Sequence, residues 1–242
     1  MSKLLVLSLA ETTKDPTQGY AVIAKDLESN DWVIIPTLPK ELLKNDEGYA
    51  WDIFAVTEAD LRRVINNRSD IYEVDTDSYR PYMVSPPVKS YEERKRILED
   101  ISNDTINELT ASSSWVGILR NPQISNLLFV KRKEEEHAYD PEQTFYWECR
   151  LDFHDRKGTK WRYKVAPGVA VKDMRFKAYW RDLMMKRSES FEVSKLKWIN
   201  YMIENDTYFL IEFYPNDYYG QIAVISGVIT IKNTSKGNYE NA

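Results

Sequence analysis

Glu148-Cys149-Arg150-Leu151-Asp152-Phe153-His154-Asp155-Arg156-Lys157-Gly158-Thr159-Lys160-Trp161-Arg162-Tyr163-Lys164 alternates apolar and polar side chains on both sides of a turn-forming Asp-Arg-Lys-Gly. A period of two marks a strand with one buried face, and a short turn ending in glycine joins two such strands into a hairpin. With Gly158 left-handed, Trp161 falls opposite Leu151 and Tyr163 opposite Cys149, so one face is apolar throughout. The other face pairs Glu148 with Lys164, Arg150 with Arg162 and Asp152 with Lys160. Slipping by one residue buries Arg162 or Lys160, which selects this register.

Outward from the hairpin, the second half continues as β. Trp115–Leu119 and Leu127–Lys133 are expected strands separated by a turn at Asn121-Pro122. Tyr208–Tyr214 and Gln221–Lys232 close the chain. Between the hairpin and this closing pair, Val171–Lys186 and Ser194–Glu204 read as helices, with Leu196, Ile199 and Ile203 on one side of the latter. The first half opens with strands at Leu4–Ala10, Tyr20–Asp26, Asp31–Thr37 and Trp51–Val56. Thr57-Glu58-Ala59-Asp60 is expected to open a short helix, the Thr acting as cap. Ser90-Tyr91-Glu92-Glu93 has capping-box spacing and starts a helix to about Leu109, with Ser102-Asn103-Asp104 as a break.

The expected fold class is therefore mainly β with α (α+β): two small barrels joined by a helical connector, divided as 1–88, 89–112 and 113–242. A chain of 242 residues suits two units of this size. The one cysteine, Cys149, allows no intramolecular disulfide and fits a reducing cytoplasmic setting. The N-terminal apolar run is expected to be the first strand rather than a signal peptide, and no segment reaches the ~18 apolar residues of a membrane span.

Chemistry of the catalytic kind is not signalled. His137 follows Glu134-Glu135-Glu136 in an acidic loop, where solvated charges are expected rather than a metal site. Cys149 and His154 fall on opposite faces of one strand, which separates a thiol from its would-be base. Phosphate-cradling glycine motifs and nucleophile elbows do not occur. The expectation is a non-catalytic protein with no cofactor and no metal. A nuclease with carboxylates drawn from distant positions stays open.

Charge is unevenly spread. Residues 1–110 carry 13 Lys/Arg against 21 Asp/Glu, a balance of −8, and residues 111–242 carry 20 against 17, a balance of +3. Residues 150–187 hold 12 basic and 4 acidic side chains, a local +8. Arg150, Arg162, Arg175, Lys177 and Arg181 are the candidate phosphate-holding groups, and Tyr179 and Trp180 the candidate base-stacking rings. Single-stranded nucleic acid is bound by cations that replace counterions together with flat rings. A cationic solvated surface, with Trp161 and Tyr163 in the core, is the competing reading.

The Leu4-Leu5-Val6-Leu7-Ser8-Leu9 strand, the Trp32-Val33-Ile34-Ile35-Pro36 strand end, Trp115-Val116-Gly117-Ile118-Leu119, the aromatic strands at 145–163 and the closing Tyr208–Ile211 and Ala223–Ile229 pair follow a recurrent order. In this the chain resembles the dual OB-containing domain family, a prokaryotic family with two oligonucleotide-binding-type barrels. The resemblance implies a tandem OB fold and nucleic-acid association in mobile-element or phage defence settings. The leading expectation is a binder of single-stranded or structured DNA or RNA. The alternative is a protein-interaction module, as inhibitor or subunit of a defence complex, and the acidic N-terminal half is the expected surface for a protein partner.

Overall fold

The computed structural model describes residues 1–12, 19–45, 48–64, 68–77, 80–112, 114–133, 145–161, 168–186, 190–216 and 220–232. It is mainly β with four helices among those residues, an α+β protein. The chain divides into two units: Met1–Val88 with Lys133–Tyr146 and Lys172–Met174, and Lys89–Arg132 with Trp147–Val171 and Arg175–Ala242. The helices expected as a connector belong to the second.

In the first unit, β1 (Ser2–Glu11), β2 (Gly19–Asp26) and β3 (Trp32–Pro39) form an antiparallel meander. Short pieces follow as β4 (Lys44–Asn45), β5 (Gly48–Tyr49), β6 (Val56–Ala59), β7 (Leu61–Arg63), β8 (Tyr72–Val74) and β9 (Tyr82–Ser85). The main sheet runs β3-β2-β1-β6-β9, so β1 has partners on both sides. Its side chains are also buried on both faces over Leu4–Ser8, and a strand so covered loses the alternation of a half-exposed one. Leu4, Val6, Val22, Ala24, Val33 and Ile35 pack with Trp51 on one face. The indole of Trp51 donates to the Leu42 carbonyl at 3.1 Å.

The helix expected from Thr57 is corrected to strand. Thr57 is fully buried in β6, and its hydroxyl donates to the Ala50 carbonyl at 2.6 Å rather than capping a helix. β6 pairs with Ser2–Leu5 of β1, and this ladder supplies the backbone partners that a helix would have supplied internally. β7 pairs with β8, and β8 returns beside β3 through a parallel bridge, Ile34–Ile71, with the Ile34 N–H donating to the Asp70 carbonyl at 2.8 Å. Only Asp60 separates β6 from β7 in the chain, and β7-β8 is a two-stranded sheet of its own.

The second unit begins with α1 (Tyr91–Ile101), β10 (Ser102–Asn103) and α2 (Ile106–Ala111). Ser90 caps α1 by accepting from the Glu93 N–H at 3.3 Å, and the break expected at Ser102 is where the first helix ends. Next come β11 (Val116–Arg120), β12 (Gln123–Lys133), β13 (Phe145–His154), β14 (Val169–Val171), α3 (Met174–Lys186), α4 (Phe191–Glu204), β15 (Asp206–Asn216) and β16 (Gly220–Ile231). Sheet order is β10-β11-β15-β16-β14-β13-β12, parallel at β14–β16 and at β10–β11. β11 and β12 stand towards opposite ends of this order yet are consecutive in the chain, joined by Asn121 and Pro122. Asn121 has φ 50°, and its N–H donates to the Thr207 carbonyl at 2.7 Å. One sharply bent segment therefore runs from the side of β15 to the side of β13.

The hairpin register also differs from expectation. His154 bridges Lys160, which moves the pairing two residues along and keeps the same faces. Cys149, Leu151 and Phe153 accordingly remain in the core, and Trp161 packs near Phe213 with ring centroids 5.6 Å apart. The expected strand from Thr159 does not form a ladder over its described residues. β13 instead pairs with β14, Leu151 opposite Val169. Gly168 begins this return with φ 70°, and a Cβ there would lie 2.6 Å from the Leu151 carbonyl oxygen.

Asp155 ties the turn to α2. Its side chain accepts from the N–H groups of Ile106, Lys157 and Thr159, each at 2.9 Å. Burial pushes this carboxyl up, and the three N–H donors outweigh that and hold it below the usual carboxylate range. A carboxyl lowered in the folded state stabilises above its unfolded value, near pH ~4, and the contribution fades as pH falls through the folded value. Asp155→Ala is expected to destabilise the second unit by about 3 kcal/mol at neutral pH, because buried donors lose their acceptor. Asp155→Asn should in addition flatten the acid limb of the stability profile, measured by urea unfolding between pH 3 and 7.

Candidate nucleic-acid interface

The residues singled out in the basic region are separated by the fold. Arg150 lies on β13, where one guanidinium nitrogen donates to the Gly168 carbonyl at 2.7 Å and another sits 3.5 Å from a Glu148 oxygen. Its side chain is only 15% exposed, so the expected phosphate-holding role is corrected to that of a clamp between β13 and the start of β14. Arg162 lies outside the described residues, as do Tyr163, Lys164, Arg187 and His137. Several neighbours lie near acids: Arg156 is 2.6 Å from Asp104, Lys160 3.6 Å from Asp152 and exposed Lys186 4.0 Å from Asp182. Asp104 also accepts from Arg120, and this hydrogen bond keeps its carboxyl below the ordinary range.

The other five candidates are carried by α3, and helical geometry sorts them. At ~100° per residue, positions four apart share a face and adjacent positions do not. Phe176 and Trp180 form the buried stripe. Arg175 and Tyr179 fall on one flank of it, Lys177 and Arg181 on the other. Trp180 is 0% exposed, enclosed by Phe129, Phe176, Phe191 and Trp198 with ring centroids 5.5–6.5 Å away. Its role as a base-stacking ring is therefore corrected to that of a core anchor. Among the described residues the indole N–H has no hydrogen-bond partner, and the surrounding rings hold Trp180 by packing.

Tyr179 is 44% exposed and meets Trp198 of α4 at 5.0 Å between centroids, 63° between planes. Trp198 in turn meets Tyr201, 36% exposed, at 5.6 Å and 78°. Tyr179, Trp198 and Tyr201 thus form an aromatic ridge across the two helices, flanked on α3 by exposed Arg175. Among the described residues neither Arg175 nor Arg181 has an acidic partner. Trp198 and Tyr201 were not among the sequence candidates. Their spacing of three, next to Lys197, was the available signal, obscured by reading α4 through its aliphatic residues alone.

α4 differs from expectation in those aliphatic residues too. Ile199 is buried with Ser194 and Met202, whereas Leu196 is 58% and Ile203 49% exposed. Leu196 and Ile203 point away from that buried side together with Val193. Ser190 caps α4 by accepting from the Val193 N–H at 3.3 Å.

Elsewhere, Glu212 is buried and both its oxygens accept hydroxyl protons, from Ser226 and from Tyr214. Cys149 is a buried free thiol, and the His154 ring lies 2.9 Å from the Asp155 carbonyl oxygen. Among the described residues no cluster of three His, Cys, Asp or Glu is arranged to hold a metal, and no helix is long and apolar enough to cross a membrane. No protein-family model matches the chain, and no curated protein matches it.

The two tyrosine-tryptophan neighbours on α3 have opposite energetic duties. Trp180→Ala is expected to cost about 3–5 kcal/mol through the cavity it leaves, whereas Tyr179→Ala should cost less than about 1 kcal/mol. Urea unfolding followed by near-ultraviolet circular dichroism separates the two.

Proposed function

We propose that the protein is a non-catalytic binder of nucleic acid, built on two OB-type barrels, that engages its ligand through the α3–α4 surface of the second unit. Strand order supports the barrel reading. In the second unit β12, β13, β14, β16 and β15 follow one another as first, second, third, fifth and fourth strands, the bend at Asn121 returns the last to the first, and two helices are inserted between third and fourth. The first unit has the same succession, β1, β2, β3, β8 and β7/β6, with a parallel contact between third and fifth. Such a succession is the one an oligonucleotide-binding Greek key has, and it supports the barrel reading. Fold alone leaves function open, so the reading is carried by exposed Tyr179 and Tyr201 on either side of half-buried Trp198, beside Arg175.

Ion pairing within the basic region changes what the electrostatics would look like. With Arg150, Arg156, Lys160 and Lys186 engaged by protein groups, Arg175 and Arg181 are the main phosphate contacts of the described surface. Two contacts predict a shallow salt dependence, a slope of about −1.4 in log K against log salt for single strands, rather than the steep one of a fully basic groove. Arg175→Ala with Arg181→Ala should flatten that slope towards zero. Fluorescence anisotropy of a labelled oligonucleotide between 50 and 300 mM salt, roughly a twofold step at a time, measures it. Absence of binding at the lowest salt overturns the proposal.

A second reading has its own observation. Val193, Leu196 and Ile203 make an outward apolar stripe on α4, 46–58% exposed, of the kind that marks protein contacts. A stoichiometric co-purifying protein lost on Leu196→Asp, with no oligonucleotide binding, favours the interaction-module role. The acidic first unit is the other surface offered to such a partner.

A further inference from the structure

The geometry points to a ligand class for the ridge: single strands whose bases are unstacked, with one base on each tyrosine, and exclusion of duplex. The inference rests on the nucleic-acid reading and refines it. Consecutive bases in a helix lie parallel about 3.4 Å apart. On the ridge, Trp198 is turned 63° from Tyr179 and 78° from Tyr201, so the three rings offer no continuous parallel platform. The centroid separations of 5.0 and 5.6 Å also fall short of the ~7 Å, two 3.4 Å steps, needed to slip a base between neighbours.

Each tyrosine must then take a base separately. A strand can do this only where its own stacking is interrupted, which costs a duplex several kcal/mol per step and a flexible single strand far less. The same constraint makes the stacking contact tolerant of sequence, since every base has a face to stack. Arg175, one helical turn before Tyr179 on the same flank, is placed to hold the phosphate that precedes the first stacked base.

Rigidity supports the assignment. Tyr179 touches Trp180 edge to face at 5.6 Å, and Trp180 is fixed in the core. Trp198 is likewise held by Phe176 at 5.6 Å. The ridge is therefore preformed, and the ordering cost of binding falls on the strand.

The test uses the full chain with a fluorescein-labelled thymidine 12-mer and a blunt duplex of equal length and label. The expected result is single-strand binding at least tenfold tighter than duplex binding, an approximately tenfold loss for each of Tyr179→Ala and Tyr201→Ala, and retention in Tyr179→Phe and Tyr201→Phe. Equal affinity for both probes overturns the unstacked-strand inference and leaves nucleic-acid binding in place. Single-strand preference unchanged in both alanine variants overturns the ridge as its site. Failure of both probes to bind removes the nucleic-acid reading itself. Unaltered circular dichroism of the variants excludes misfolding as the source of a loss.

Discussion

Rotation of α3 about its own axis is set by Phe176 and Trp180, and the candidate site is a consequence of that setting. The Trp180 indole has no exposed surface and, among the described residues, no hydrogen bond, so dispersion and exclusion from water hold it. Because the two large rings occupy the inward stripe, Arg175 and Tyr179 are forced to one flank and Lys177 and Arg181 to the other. α4 then packs Trp198 against the same rings, and this carries Tyr201 to the surface beside Tyr179. The cationic and aromatic residues that look contiguous along the chain are divided by the core before they meet solvent.

Strand content and the parity of the hairpin were legible in the sequence because period-two alternation reports burial directly, as at Cys149, Leu151 and Phe153. The exact pairing was not, since moving by two residues preserves every face and changes only which polar groups meet. Thr57 misled for a related reason: a Thr before Glu-Ala-Asp satisfies the local preferences of a helix cap, whereas the deciding interaction is the ladder to Ser2–Leu5, more than fifty residues away in sequence. Trp180 misled because a ring next to a Tyr and an Arg carries no local mark of being inward. Only the helical phase relative to Phe176 assigns it, and that phase depends on where the helix begins.

Electrostatics show the same separation between local and tertiary information. A count of twelve basic residues over 150–187 describes the chain, but Asp104 comes from another segment to neutralise Arg156 and Arg120 together. Asp206, at the start of β15, likewise accepts from Tyr91 and Lys95 of α1. The Asp206 hydrogen bond raises the Lys95 ammonium above its usual range, while burial first, then the Asp206 charge, pushes Tyr208 up to about 12. Much of the charge in this unit is thereby spent on fastening helices to the sheet, and the remainder available to a ligand is correspondingly small.

The clasp between Asp155 and the Ile106 amide joins points 49 residues apart in the chain. Closing a loop of that length costs chain entropy before the contact returns any free energy. Nascent α2, emerging first from the ribosome, has only water to accept from its leading amide until the turn after β13 has been made. The start of this helix therefore exchanges a solvent partner for a protein one only when both ends of that stretch are in place.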